Sequence, residues 1–248
     1  MGLGAADPRD DVLTSSRRQR GGMSRTYAEL PGLMTLMTGD EKHTPSATST
    51  LDVIWVLYDK VLRVTPETLE DPERDRFLLS KGHGPAAFYA VLAAKGFVPE
   101  SWLPGFGDVD SRLGYHPDRN LVPGVEIGSG SLGHGLPLGV GLAHGLLAQG
   151  RTRPRVFVLV GDAELDEGSN NEAIVYAGAV GLPNLTVVAV DNSSASYGWG
   201  PGGIESHFAV SGWAVTRVNG RDHAALLSAL NVAPGRPRLV VAATEPKG

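Results

Sequence analysis

Asp162 and Asn192 each close a short apolar run, Arg155 to Asp162 (RVFVLVGD) and Leu185 to Asn192 (LTVVAVDN). A carboxylate and an amide oxygen are hard ligands suited to Mg2+, which usually keeps other positions open for water and phosphate oxygens. Runs of this kind read as strands buried on both faces. As parallel neighbours they would bring both polar side chains to one crevice, outside the carboxyl ends of the strands, where open α/β sheets collect ligands. Taken singly, Asp162 also reads as a turn residue and Asn192 as a strand-end cap, because both types form turns readily.

The elements that must position this pair follow from the spacing around it. Between the two runs, Ser169 and Glu172 fit the S-x-x-E pattern of a capping box. Ala173, Ile174, Ala177 and Val180 then recur at helical spacing, and Gly181 with Pro183 supplies a stop. Strand, helix and strand at this length form a crossover, so the two strands should be parallel. Trp213 to Val218 and Arg238 to Ala243 read as further strands flanking a helix at Asp222 to Leu230. Leu51 to Leu62, Pro85 to Lys95 and Leu136 to Leu147 read as helices, and Pro66 to Arg76 as a charged turn. Ser101 to Ile127 is a long Gly/Pro/Asp-rich stretch with little periodicity, the mark of a functional loop. The expected fold is α/β, an open, mostly parallel sheet with helices on both faces.

Composition narrows the classes of function. The chain has 248 residues, 42% of them hydrophobic, enough for one large domain with a real core. A formal net charge of −5 gives no electrostatic footprint for nucleic acid. Cysteine is absent, which excludes disulfides and thiolate metal sites. Residues 1–25 are polar, without the apolar stretch of a secretory signal, and read as a disordered leader ahead of a domain over 26–248. No run is apolar and long enough to span a membrane, and a cytoplasmic location is expected.

The order of motifs carries a resemblance. Gly161-Asp162-Ala163, then 27 residues, then Asp191-Asn192 resembles the thiamine diphosphate fingerprint, a GDG followed by NN or DN. GDAELDEGSNNEA is similar to the transketolase version of that segment. Upstream, RFLLSKGHGPAAFYAVLAAKGF from Arg76, GYHPD at Gly114 to Asp118 and PGVEIGSGSLGHGL from Pro123 are similar to that family's GH, GHP and TGSLGQG segments. Downstream, SGWAVTRVNGRDHAALLSAL resembles the continuation of the same domain. The likeness runs from about residue 40 to 245, and the chain resembles the N-terminal, diphosphate-binding domain of transketolases.

That resemblance implies roles residue by residue. Asp162, Asn192 and the Ser194 carbonyl would hold Mg2+, bridging to the diphosphate of thiamine diphosphate. His83 would contact the diphosphate, with Gly130, Leu132, Gly161 and the Ala163 N–H around the cofactor. His43 and His116 match histidines lining the substrate channel, where imidazole can exchange protons with sugar hydroxyls near neutral pH. Glu167 and Glu172 match glutamates that relay protons between paired active sites, and Glu172 is equally explained as the partner of Ser169. Lys42 and Pro45, beside His43, depart from the small residues of the family pattern. Ala163 departs from glycine; at positive φ it would cost on the order of 1 kcal/mol, so ordinary φ is expected there. Gly128–Gly133 fits G-x-G-x-x-G, but it follows a polar loop, and no acidic residue ends a second strand about 20 residues on. Those glycines therefore read as letting the backbone approach the thiamine cofactor.

In this family the glutamate that activates the cofactor lies on a separate pyrimidine-binding domain. The chain stops at Lys247-Gly248 with nothing after Asn192 resembling that domain. The expectation is an N-terminal subunit of a split transketolase, paired with a C-terminal, pyrimidine-binding chain in an α2β2 assembly. It would transfer a two-carbon ketol unit from a ketose, by family default a phosphate, to an aldose. The alternatives are a subunit of a thiamine-dependent 2-oxo acid dehydrogenase or lyase, and a non-catalytic scaffold of the same fold.

Overall fold

The computed structural model describes residues 25–37, 44–195, 198–232 and 235–246, with side chains from 48 onward in the second of these stretches. Five strands, β1 (Arg76–Leu79), β2 (Val156–Gly161), β3 (Leu185–Asp191), β4 (Ala214–Asn219) and β5 (Arg238–Ala243), form one sheet in the order β1-β2-β3-β5-β4. Every neighbouring pair is parallel. The helices are α1 (Leu30–Thr35), α2 (Thr44–Val56), α3 (Pro85–Ala94), α4 (Gly135–Ala148), α5 (Gly168–Val180), α6 (Gly203–Ala209) and α7 (His223–Leu230).

Alternation along the strands divides the core in two. Phe157, Leu159, Val188 and Val190 pack with apolar residues of α2, α3 and α7. Val156, Val158, Val160, Val187 and Ala189 pack with α4, α5 and α6. A strand whose residues are apolar on both faces needs such double cover, and all six residues of β2 are buried. The open parallel sheet with helices on both faces is thus the observed architecture.

The crossover β2–α5–β3 lies where the apolar runs place it, with Val156 paired to Leu185 and Gly161 to Val190. Gly181 closes α5 in the left-handed conformation at φ 71°. The capping box does not form. Helix α5 begins at Gly168, and Ser169 lies inside its first turn, where its hydroxyl donates to the Gly133 carbonyl at 2.7 Å. A carbonyl from a loop 36 residues upstream in sequence takes the hydroxyl that the local pattern assigned to capping. Glu172 is exposed.

Two further elements differ from expectation. β1, RFLL, is not among the expected strands; it starts at Arg76, where the segment read as a turn ends. The helix expected from Leu51 begins at Thr44 and ends in a π turn, Leu57–Val61, closed by the Leu62 N–H on the Leu57 carbonyl at 2.8 Å. Asp75, just before β1, is 1% exposed. Its carboxylate accepts the Arg63 and Arg155 backbone N–H groups, each at 2.9 Å, together with both guanidinium groups. This pins the sheet edge to the end of the first helical layer.

The long loop after Ser101 contains one 3-10 segment, Glu100–Gly105, and is otherwise irregular. It is ordered by buried Leu113 and Val122 and by the Tyr89 hydroxyl, which donates to the Gly114 carbonyl at 3.0 Å.

Candidate functional site

Because β2 ends at Gly161 and β3 at Asp191, Asp162 and Asn192 leave adjacent strand tips. Asp162 is fully buried and Asn192 nearly so. The Asp162 Oδ1 accepts the Ala163 N–H at 2.9 Å and the Ser194 hydroxyl at 2.5 Å. Its Oδ2 accepts the Ser194 N–H at 2.6 Å and the Ala195 N–H at 3.3 Å. Four donors suit an ionised carboxylate, which only accepts. The turn that delivers them passes through Ser193 at φ 57°, the one left-handed non-glycine among the described residues. Such a conformation is sparsely populated and clusters at functional sites.

Asn192 Oδ1 stands in contrast. It is buried with no hydrogen-bond partner among the described residues. A bare buried acceptor costs about 1–3 kcal/mol. Of the six buried side-chain N and O atoms without a partner among the described residues, Asn192 Oδ1 is the one at the strand tip next to Asp162. A carboxylate beside a bare amide oxygen fits the donor set of a hard divalent ion. No group of three His, Cys, Asp or Glu among the described residues makes a protein-only metal cage. The remaining positions would come from a backbone carbonyl, water or phosphate oxygens. The Ser194 hydroxyl sits on Oδ1 and would have to turn aside for an ion to bind there.

Three motifs far apart in sequence meet beside this pair. Gly130 has φ 118°, and a Cβ there would lie 2.7 Å from Cγ of His116. A Cβ on Gly82 would lie 3.3 Å from the Gly130 carbonyl oxygen. The SKGHG turn, the GYHPD loop and the Gly128–Gly133 loop therefore touch backbone to backbone or ring to backbone. His83 and His116 are exposed, as is Leu132. Gly133, at φ 79°, would place a Cβ 2.7 Å from Cβ of Glu167, which is exposed at the start of α5. Ala163 has ordinary φ, as expected, and opens the 3-10 turn Ala163–Asp166; its N–H, expected to face the cofactor, here donates to Asp162. His43 lies outside the described residues.

The Gly130 contact yields a direct expectation. Gly130→Ala adds a methyl against the His116 ring at a φ that L side chains rarely adopt. Calorimetry should show affinity for thiamine diphosphate with Mg2+ reduced about tenfold or more, equivalent to ~1.4 kcal/mol.

Sequence reasoning missed two buried charged residues here. Glu164 is 2% exposed and accepts from the Ser80 hydroxyl, the Gly133 N–H at 3.1 Å and the Gly161 N–H at 3.3 Å. Burial raises its pKa above the ordinary carboxylate value, partly offset by those donors and the Lys81 charge. Lys81 packs its stem over Gly161, and its ammonium donates to the Ser49 hydroxyl at 3.0 Å. Glu164 is one of three acids in AELDE, and only burial separates it from the exposed Asp166 and Glu167.

Residues 35–245 match the family model for the transketolase thiamine diphosphate binding domain. Ferredoxin fas2 of Rhodococcoides fascians is 53% identical over 219 residues, covering 88% of this chain and 72% of that protein. One subunit of an apulose-4-phosphate transketolase from Actinobacillus succinogenes is 37% identical over 209 residues, covering 82% of this chain and 75% of that protein. Transketolase from Leishmania mexicana superimposes with a TM-score of 0.73 at 27% identity, over 90% of this chain and 37% of that one. The chain thus spans little more than a third of the solved transketolase that it matches. On this sequence match and this fold, the chain belongs to the transketolase family, within its thiamine diphosphate binding domain.

Proposed function

We propose that this chain is the diphosphate-binding subunit of a two-subunit, Mg2+-dependent transketolase that moves a two-carbon ketol unit from a ketose to an aldose. The observation that carries this reading is the bare, buried Asn192 oxygen at the strand tip adjacent to that of the buried Asp162 carboxylate. When bound, thiamine diphosphate supplies a thiazolium carbon that adds to a carbonyl and stores the resulting carbanion. This chain's own residues bind and orient. Asp162, Asn192 and the Ser194 carbonyl would hold Mg2+, and His83 would contact the diphosphate. Gly130, Leu132, Gly161 and Ala163 border the cofactor. His116 and His43 exchange protons with sugar hydroxyls in the substrate channel, and Glu167 and Glu172 relay protons toward a second site.

Two observations support a partner chain. Relatives named as single subunits of transketolases are matched over 65–75% of their length. In addition, α4 carries no charged residue in 14, and Leu138 on it is exposed together with Val175, Tyr176 and Val180 on α5. An exposed apolar face of this kind marks an interaction surface. The pyrimidine-binding chain, in an α2β2 assembly, is the partner proposed. The names of those relatives also favour transketolase over a 2-oxo acid dehydrogenase. A ferredoxin's cluster is held by cysteine thiolates, and this chain has no cysteine to hold one.

Mixing the full chain with its pyrimidine-domain partner should give ketol transfer from a ketose phosphate that requires both thiamine diphosphate and Mg2+. Turnover by this chain alone would refute the two-subunit reading. Turnover of pyruvate in place of the ketose would refute the reaction class, and a mixture that binds the cofactor without any turnover would mark a scaffold.

A further inference from the structure

We infer that Glu164 is a positioning residue that fixes the shape of the cofactor cradle by tying together the three segments that form it. The inference rests on the cofactor reading above. Its two carboxylate oxygens take donors from the end of β1 (Ser80), from the glycine loop (Gly133) and from the end of β2 (Gly161). The β1–β2 ladder already sets Ser80 beside the end of β2; Glu164 adds the glycine loop, 31 residues upstream, to that pair. Ser80 extends the clasp, since its oxygen also accepts the Gly135 N–H at 3.0 Å where α4 begins. Helix α5 backs it from the other side. Asn170 donates to the Glu164 carbonyl at 2.6 Å, and Ser169 to the Gly133 carbonyl at 2.7 Å. Gly133 is therefore held by both its N–H and its C=O.

Core packing alone does not account for a carboxylate at this place. Burying the charge carries a desolvation cost, and an apolar side chain of similar volume would pack the same space without it. What the carboxylate adds is three directed bonds, each to a segment that borders Asp162, Gly130 or His83. Lys81, whose stem covers Gly161, supplies the nearby positive charge. The cradle is thus set before a cofactor arrives, and binding need not order it. Outer-shell residues that orient a metal or ligand site typically change affinity by about 10- to 100-fold when removed.

The test uses the full chain, joined by its pyrimidine-domain partner for the titrations, and the variants Glu164→Ala, Glu164→Gln and Ser80→Ala. Without cofactor, amide exchange at Gly133 and Gly161 should accelerate in Glu164→Ala while Gly135 stays protected through Ser80. Ser80→Ala should expose Gly135 instead. Glu164→Gln keeps an oxygen for Ser80 and Gly133 but turns an amine toward the Gly161 N–H, so Gly161 alone should lose protection. Calorimetric titration with thiamine diphosphate and Mg2+ should show Kd raised about 10- to 100-fold in Glu164→Ala and less in Glu164→Gln. Folded Glu164→Ala with unchanged exchange and unchanged Kd would overturn the inference. Should the Glu164 variants fail to fold, unchanged Kd and Gly135 exchange in Ser80→Ala would overturn it equally. A wild-type chain that binds no cofactor even with that partner present would sink the proposed function instead, and the cofactor-free exchange pattern separates the two failures.

Discussion

Asp162→Asn is expected to weaken Mg2+-dependent binding of thiamine diphosphate at least about 100-fold, or ~2.7 kcal/mol, with activity falling in step. Asparagine keeps the shape but removes the charge, and its amine would face the donors Ser194, Ala195 or Ala163 that now converge on the carboxylate. Asn192→Ala supplies the contrast. Its Oδ1 bonds nothing in the described protein, so removing it relieves an unsatisfied acceptor rather than breaking a bond. Thermal stability should hold while cofactor affinity falls. If Asn192 were only a strand-end cap, the outcome would be reversed, with stability lost and affinity kept.

Asp75→Ala should cost the fold about 3–5 kcal/mol, roughly 10 °C in Tm for a domain of this size, read by thermal unfolding near neutral pH. The side chain is buried, and its loss strands the Arg63 and Arg155 N–H groups together with two guanidinium groups. Burial alone would raise the Asp75 pKa, but hydrogen bonds from the side chains and backbone of both arginines outweigh it and hold the carboxyl below its ordinary value. A depressed folded pKa means that the contribution is present above the ordinary carboxylate range and disappears as pH falls through the lowered value. The gap between wild type and Asp75→Ala should therefore narrow in strong acid. A gap that widens there would contradict this arrangement.

The sheet was legible where the physics of burial acts residue by residue. β2 and β3 are continuous β-branched and apolar runs because both faces are covered, and the polar residue that ends each run marks the crevice. Asp162 and Asn192 stand out for that reason. β1 did not stand out, because four residues of strand follow a run of charges and give no period to read. Ser169 and Glu172 matched a local cap, yet a carbonyl brought in by tertiary folding took the serine. Glu164 was hidden for the same reason. Its partners lie in three other segments, and a lone acid among acids carries no sign of the burial that makes it matter.

Crystals grown with thiamine diphosphate and Mn2+ in place of Mg2+ locate the ion directly by its anomalous scattering. The expected map has one ion about 2.1 Å from an Asp162 carboxylate oxygen, Asn192 Oδ1 and the Ser194 carbonyl, with the Ser194 hydroxyl turned away and diphosphate oxygens completing the sphere. An ion bound elsewhere, or an Asp162 carboxylate still closed by Ser194 with diphosphate in place, would contradict the proposed site.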